Sequence, residues 1–325
     1  MELIANQNQL EMIQDESEIV QKSSSKFIEA NTKEVSLNHL RKDCVIPVFA
    51  KDNETTISHF QFIETTKEIA ENMLSERLYE PAIRVSHQIK GRIPSAIGKP
   101  VKELLDNEKT IYYERMAFMI EVPNSEVVVN NQLLNLSIGG VRSYHQENLY
   151  SKKSIEKFQV FIGFKNTVCT NLCIATDGLN NEIRISSLEE LKYAVQTLIA
   201  EYNKSSHLGN LEKMSKYYLT EKQFAHLIGK MKMFHFLSKK EKEGIFNLQI
   251  TDSQISTVVK DYFTDENFKK RDDEPINLWN LYNLFTGANK SSYIDNTLSR
   301  NVNAYEFIQH IGNSIENRSP NFYLT

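Results

Sequence analysis

Strand-like and helix-like patterns occupy different parts of this 325-residue chain, and the change between them falls at Ser187. Before that point, short runs rich in Tyr, Phe, Ile and Met end at turn residues, as β-strands do. After it, apolar residues recur with helical spacing, and Ser187–Glu190 and Thr220–Gln223 each fit a capping box. Strands followed by helices predict an α+β fold, with a mixed or antiparallel sheet in the first half and a helical C-terminal part packed with it.

Individual elements follow from the same patterns. An apolar run at Val45–Phe49 contains Pro47, which favours an edge strand over a central one. The other predicted strands are Ala82–Ile89, Thr110–Val122, Leu133–Ser143, Phe158–Phe164, Val168–Ala175 and Glu182–Ile185. The main predicted helices are Ile57–Leu74, Asp252–Phe263, Ile276–Thr286 and Val302–Ile315.

Composition divides the chain into three regions. Residues 1–26 are rich in Gln, Glu, Asn and Ser and are predicted to be a mobile polar tail. Residues 27–186 form the predicted sheet-containing region, and residues 187–325 form the mainly helical region. Because no Pro-, Gly- or Ser-rich linker separates the last two, we expect them to form one globular unit.

The bulk properties exclude several classes of protein. A net charge of −4 argues against a surface that binds polyanions over its whole area, although a local basic strip remains compatible with it. The sequence has no apolar run long enough to span a membrane and no secretory signal pattern. Three cysteines do not make a disulfide framework in a chain of this length. We therefore predict a cytoplasmic protein without membrane contact.

Common catalytic and metal-binding signatures are mostly missing, and no cofactor is predicted. Gly287–Ser291 is similar to the end of a phosphate-binding loop but lacks the glycines that such a loop needs. Cys169 and Cys173 have a spacing that zinc can use, and on a strand both thiols would face one side. No further pair of ligands lies nearby, so burial as small apolar residues is the favoured interpretation, and metal binding by the pair stays open.

A basic strip without acidic residues raises the possibility of nucleic-acid binding. Between Pro81 and Lys102, the side chains of Arg84, Lys90 and Arg92 share strand parity and would line one surface of a continuous strand. Arg142 and Tyr144 follow a Gly139–Gly140 pair that is typical of a flexible loop, where binding residues often lie. Cations there would neutralise phosphates, and tyrosines would stack on unpaired bases. A solvated sheet face explains the same pattern.

One predicted helix near the C-terminus carries an unusual polar stripe. Trp279, Asn283, Thr286 and Lys290 share the side opposite to the apolar residues of that helix. An ordinary surface helix would have Glu and Lys at these positions. The stripe therefore predicts a specific contact, either with a ligand or with another part of the same protein.

Several motifs in a fixed order resemble those of a known bacterial family. They are Arg84–His87, Lys90–Pro94, Tyr112–Ala117, Phe161–Asn171 and Leu278–Lys290. Together they resemble the domain of unknown function 3871 family, which occurs mainly in gut-type anaerobic bacteria and often on mobile elements. A weaker likeness extends to the phage/plasmid-like domain of unknown function 932 family, which pairs a Val-Cys-x-Asn strand with a Trp-x-x-x-Asn-x-x-Thr helix. The resemblance implies that Asn171 joins Trp279, Asn283 and Thr286 in one candidate site.

Three classes of function remain as hypotheses. The first is a non-catalytic nucleic-acid-associated protein of a mobile element, binding DNA or RNA through Arg84, Lys90, Arg92, Arg142 and Tyr144. The second is an enzyme with a composite site in which His145 acts with Glu114 or Asp177. The third is a protein-interaction module for a host factor, with an exposed apolar patch around Met231–Phe236. The oligomeric state stays open.

Overall fold

The computed structural model of the chain describes residues 26–44, 56–96, 98–147, 155–271 and 274–325. The predicted tail up to residue 25 and the predicted edge strand Val45–Phe49 lie outside these residues. The strands are β1 (Lys33–Glu34), β2 (Ala82–Val85), β3 (Gln88–Arg92), β4 (Lys109–Tyr113), β5 (Arg115–Glu121), β6 (Val127–Val129), β7 (Gln132–Ser143), β8 (Glu156–Asn166), β9 (Leu172–Cys173), β10 (Leu179–Ile185), β11 (Tyr218–Leu219) and β12 (Ile276–Asn277). The helices are α1 (Leu37–Lys42), α2 (His59–Leu74), α3 (Leu188–Glu201), α4 (Lys204–Met214), α5 (Glu221–Phe234), α6 (Asp252–Thr264), α7 (Leu278–Asn289) and α8 (Ile294–Asn317).

Antiparallel pairing organises the main sheet, and the predicted α+β class is confirmed. Its strands run in the order β1-β2-β5-β7-β8-β10, with β6 added to β7 and β9 added to β8. Two smaller sheets pair β3 with β4 and β11 with β12. None of the described helices has the length and apolar character required to cross a membrane.

Helices cover both faces of the main sheet. On one face, the Phe62 ring of α2 packs edge-on against Phe118 and Phe158, with ring centroids 5.1 Å and 4.8 Å apart. On the other face, Met119 and Phe161 join an apolar cluster with Ile294 and Leu298 of α8, among others. Successive residues of β5 therefore enter opposite layers, as the two-residue period of a strand requires.

The glycine pair that suggested a loop lies inside β7, so the prediction of a flexible loop at this point is wrong. Gly140 pairs with Val160 on one side and with Phe118 on the other. A Cβ atom on Gly140 would come within 2.5 Å of the Phe62 ring, and one on Gly139 within 2.1 Å of the Phe118 carbonyl oxygen. These glycines allow close packing on both faces of the sheet.

The predicted strand Ala82–Ile89 is also wrong as a single element. It divides into β2, in the main sheet, and β3, in a separate two-stranded sheet. The division comes after Val85, where the Ser86 N–H donates to the Arg115 carbonyl oxygen at 3.0 Å and the Arg115 N–H donates to Ser86 Oγ at 3.2 Å. The predicted strand Thr110–Val122 divides in the same region, into β4 and β5.

At the starts of helices, the capping patterns in the sequence predict the structure better than the strand patterns do. Thr220 and Gln223 form the capping box expected at the start of α5. Ser187 caps α3 through the Glu190 N–H, but the Glu190 carboxylate accepts from the Ser186 N–H, so the second half of that box is shifted by one residue. The helix predicted to begin at Val302 begins eight residues earlier, at Ile294.

Helix α7 is the central element of the helical part. Ten of its twelve residues are buried, so the helix is enclosed on nearly all sides. Asn277 caps its N-terminus by accepting a hydrogen bond from the Asn280 N–H at 2.7 Å. Its C-terminus meets the start of the described chain, where the N–H groups of Glu29 and Ala30 donate to the Lys290 carbonyl oxygen.

Candidate functional site

The polar stripe of α7 is buried and contacts the turn that joins β8 to β9. The Asn171 side-chain amide donates to the Asn283 carbonyl oxygen at 2.9 Å, and the Asn283 amide donates to the Trp279 carbonyl oxygen at 3.0 Å. Thr286 Oγ1 donates back to the Tyr282 carbonyl oxygen at 3.2 Å. The structure thus brings Asn171 together with the stripe, and the partner of the stripe is the protein's own sheet.

Gln132, at the start of β7, completes the polar contact between α7 and the main sheet. Its side-chain oxygen accepts from the Trp279 indole N–H at 3.2 Å and from the Asn166 amide at 2.7 Å. The Trp279 side chain is fully buried, so it is not available to stack on a base from solution. Each of these side-chain amides is oriented by a hydrogen bond, and together they hold α7 against the sheet.

Lys290 lies at the end of the stripe and is also buried. Its ammonium donates to the Cys169 carbonyl oxygen, and to Thr170 Oγ1 at 3.2 Å. Burial lowers the pKa of Lys290, because a low-dielectric environment disfavours its charged form. Within the described residues no carboxylate lies within 4.0 Å of this ammonium, so neutral oxygens solvate it.

The two cysteines considered for zinc do not share a strand face. Cys169 lies in the turn, next to Thr170 with its positive φ of 57°, whereas Cys173 is buried in β9. Burial raises the pKa of the Cys169 thiol to about 11, which disfavours the thiolate that a metal would bind. Across the described ranges, no group of three or more His, Cys, Asp or Glu side chains is placed to hold a metal ion.

Arg142 is completely buried at the far end of β7 and is held by two carboxylates. Its guanidinium donates to Glu147 at 3.1 Å and 3.3 Å, to Glu156 at 2.5 Å, and to the Ile57 carbonyl oxygen. The guanidinium carbon also lies 4.5 Å from the Tyr144 ring centroid and 4.3 Å from that of Phe158. Arg142 is therefore an internal cation with internal counter-ions.

Tyr144 belongs to the same buried cluster. Its ring stacks on His59 with centroids 4.5 Å apart, and only 1% of its surface is exposed. The His59 ring bonds through Nε2 to the Tyr113 carbonyl oxygen at 2.8 Å, and burial beside the Arg142 charge lowers the pKa of His59 to about 3. A tyrosine in this position does not present a surface for base stacking.

Arg84 is buried as well, on β2. It donates to the Thr32 carbonyl oxygen at 2.8 Å and to Thr32 Oγ1 at 3.0 Å, and Glu34 lies 3.6 Å away. The expectation that Arg84 lines one surface with Lys90 and Arg92 is therefore wrong, since the chain breaks between β2 and β3 and the Arg84 side chain points inward.

Lys90 and Arg92 do lie together, on the two-stranded ribbon formed by β3 and β4. Lys109 is directly opposite Arg92 in the antiparallel register, and Lys90 is two residues away on the same strand face. Lys109 was not predicted from the sequence, because the long connection between β3 and β4 does not fix which residue lies opposite Arg92. The ribbon shares no strand pairing with the main sheet, although Tyr113 at its end is buried in the core.

The ribbon and the connection between its strands have a net positive charge, although the chain as a whole is acidic. Residues 88–113 contain five Lys or Arg and three Asp or Glu, a difference of +2, against −4 for the whole chain. Lys109 pairs with Asp106 at 2.7 Å, and Lys99 pairs with Glu108. For Lys90, Arg92 and Lys102, the described residues contain no carboxylate within 4.0 Å. The tip of the ribbon also exposes Val101 (70%) and Leu105 (62%).

The groups proposed for a composite enzyme site lie partly apart. The Tyr144 N–H donates to the Glu114 carbonyl oxygen at 2.9 Å, so the backbone that leads to His145 is close to Glu114. Asp177 lies further along the sheet, where its carboxylate accepts from the Asn203 N–H at 2.9 Å. Gly178, next to Asp177, contacts Ile162 of β8, and Ile162 pairs with Ile138 of β7. Ile138 lies about 16 Å along β7 from Ser143, where the chain leads on to His145. Asp177 is therefore distant from that part of the chain.

The segment considered for a protein interface is divided between core and surface. Met231 and Phe234 are buried, as helical spacing predicts. Met233 and Phe236 are exposed, Phe236 to 90%. Two neighbouring apolar side chains are a small fraction of the surface that a stable protein interface uses.

Comparison with known proteins gives one result for the chain as a whole. Residues 8–324 match the family described as "Domain of unknown function, B. Theta Gene description (DUF3871)". No curated protein and no solved structure matches the chain.

Proposed function

The chain belongs to the DUF3871 family, since the family model covers nearly all of it, and we propose that it is a non-catalytic protein that binds duplex DNA through the β3–β4 ribbon. The observation that carries this proposal is the row of Lys90, Arg92 and Lys109 on one face of the ribbon. The resemblance to phage/plasmid-like proteins supports DNA as the ligand and a mobile element as the setting.

The two-stranded shape of the ribbon favours a DNA duplex as the ligand. The major groove of B-DNA admits a two-stranded β-ribbon, and side chains of alternate residues then face the groove or its phosphates. Arg92 is two residues from Lys90 and directly across from Lys109, so the three charges follow the ribbon at the spacing of neighbouring strand positions. When such cations bind DNA they release counter-ions from it, which favours association, and Lys109 would exchange its exposed partner Asp106 for a phosphate.

The expected binding is strongly salt-dependent. For a duplex, the slope of log affinity against log salt is about −0.9 for each phosphate neutralised, so three contacts give about −2.7. Affinity would then fall roughly 40-fold between 50 mM and 200 mM salt. The net charge of −4 makes contributions from the rest of the surface small or repulsive.

Fluorescence anisotropy with a labelled DNA duplex at 50 mM salt tests the proposal. We expect a triple variant, Lys90→Gln, Arg92→Gln and Lys109→Gln, to bind at least tenfold more weakly than the wild-type protein. A second triple variant, Lys222→Gln, Lys239→Gln and Lys240→Gln, removes three exposed lysines from α5 and the loop after it and serves as the control. Equal losses in both variants, or no binding by the wild type, would reject the proposal.

A further inference from the structure

Strand β10 forms one edge of the main sheet. It pairs with β8 along one side, with Ile183 opposite Phe158 and Arg184 opposite Lys157. On its other side, the described part of the chain supplies no strand. An edge of this kind presents backbone donors and acceptors to which another strand can be added.

Two exposed side chains of opposite charge lie on either side of Ile183 in β10. Glu182 precedes it and Arg184 follows it, with 64% and 61% of their side chains exposed, and within one copy their charged groups lie 4.0 Å apart. Ile183 itself is buried on the α3 face of the sheet, in the core that contains Leu191 and Val195. The edge therefore carries one acid and one base, each one residue away from a central apolar position.

We propose that two copies of this protein pair through β10, antiparallel and about a two-fold axis at Ile183. In this register, Glu182 of each copy lies opposite Arg184 of the other, which forms two cross-strand ion pairs, and Ile183 lies opposite its own counterpart. A two-fold interface uses the same patch on both subunits, so a strand that complements itself in this way satisfies the symmetry. The main sheets of the two copies then join into one.

The charges select this register over its neighbours. An axis at Glu182 sets two glutamates opposite each other, and an axis at Arg184 sets two arginines opposite each other. The irregularity in the pairing with β8 falls at Asn181 and Glu182, so the regularly paired part of this edge runs from Ile183 to Ile185. Charged residues on edge strands usually prevent association, but two opposite charges at symmetric positions allow one arrangement.

A groove beside the edge offers room for the second copy. It has a volume of about 520 Å³ and lies between β10 and the first turns of α3. Tyr193 lines it with 72% of its surface exposed, next to Ala194. Tyrosine is common at protein interfaces because its ring packs against apolar surface while its hydroxyl stays solvated. Side chains of the added strand that face α3 would enter this groove.

Sedimentation equilibrium of the full chain tests the proposal, and charge exchange makes the test specific. We expect the wild-type protein to dimerise, and Glu182→Arg and Arg184→Glu each to weaken the dimer about tenfold, because both attractive pairs become repulsive. The double variant that carries both changes restores the pairs and should dimerise like the wild type. An equimolar mixture of the two single variants should form a mixed dimer, since all four charges then face opposite charges.

Two further variants serve as controls for charge alone. Glu126→Arg and Arg77→Glu make the same changes at exposed positions outside β10 and should leave dimerisation unchanged. Recovery in the mixture also shows that the single variants are folded. A wild-type protein that stays monomeric, or a dimer that tolerates both single changes, would overturn the proposal.

Discussion

Arg142 and Arg92 are both arginines in strands of the first half of the chain, yet their environments are opposite. Arg142 is fully buried, contacts Glu147 and Glu156, and lies between two aromatic rings. Arg92 lies on a ribbon outside the main sheet, where it donates to the Lys99 carbonyl oxygen. A buried guanidinium with two carboxylates stabilises the fold, whereas the half-buried Arg92, with no carboxylate within 4.0 Å among the described residues, is available to an external anion.

The difference between these regions shows that the sign of a charge says little about its role until its partners are known. Glu147 and Glu156 follow Arg142 by five and fourteen residues, and the chain returns to place both against the guanidinium. On the ribbon, acids pair with Lys99 and Lys109 but not with Lys90 within the described residues. Variants in the buried core and on the ribbon should therefore affect different properties, stability in the first case and DNA binding in the second.

The largest expected effect is on stability, at Arg142. Arg142→Met removes the guanidinium that pairs with the buried carboxylates of Glu147 and Glu156. Breaking a buried ion pair in this way costs about 3–5 kcal/mol. Urea denaturation of this variant and of Lys90→Gln measures the contrast, since an exposed substitution should stay within about 0.5 kcal/mol of the wild type. Similar losses in the two variants would contradict the expected contrast.

The second effect is the pH dependence of stability that arises from the buried imidazole of His207. Burial lowers the pKa of His207 to about 3, so between pH 6.5 and 3 the unfolded state binds the proton that the folded state does not. The free energy of unfolding is therefore unaffected by His207 above pH 6.5 and decreases as the pH falls from 6.5 towards 3. In His207→Phe, the free energy of unfolding should depend less on pH between 6 and 4, by about 1.4 kcal/mol per pH unit. An unchanged pH dependence would mean that His207 is not buried in solution.

The smallest of the three stability effects is expected at the joint between α7 and the sheet. Asn283→Ala removes the donor to the Trp279 carbonyl oxygen and an oxygen 3.4 Å from the amides of Asn166 and Asn171. We expect a loss of about 2 kcal/mol, because buried polar groups are left without partners. DNA binding should be unchanged, measured by anisotropy. If the variant lost DNA binding but kept its stability, the polar stripe would have to contact the ligand.

Much of the fold could be predicted from the sequence where the local pattern and the tertiary structure agree. The strands near Leu133–Ser143 and Phe158–Phe164 keep apolar residues on both sides because helices cover both faces of the sheet. The break after Val85 could not be predicted, since the pattern of residues continues through it. The early start of α8 was missed because buried polar residues such as Thr297 and Asn301 interrupt its apolar spacing.

The candidate site was predictable only in part. The stripe on α7 correctly indicated a specific contact, and Asn171 lies in it, but burial could not be distinguished from ligand binding by residue type. Of the predicted cations, Lys90 and Arg92 lie on one surface, whereas Arg84 and Arg142 are buried. Partners such as Glu156, and Gln132 beside Trp279, depend on long-range strand pairing that local patterns do not contain.

The salt dependence of DNA binding tests most directly whether Lys90, Arg92 and Lys109 of the ribbon bind the phosphates. Log affinity for a DNA duplex would be measured against log salt for the wild type and for the Lys90→Gln, Arg92→Gln, Lys109→Gln variant. The wild-type slope should be about −2.7 and should approach zero in the variant, because three phosphate contacts are lost. A variant with the wild-type slope would show that the bound phosphates are neutralised elsewhere and would contradict the proposed site.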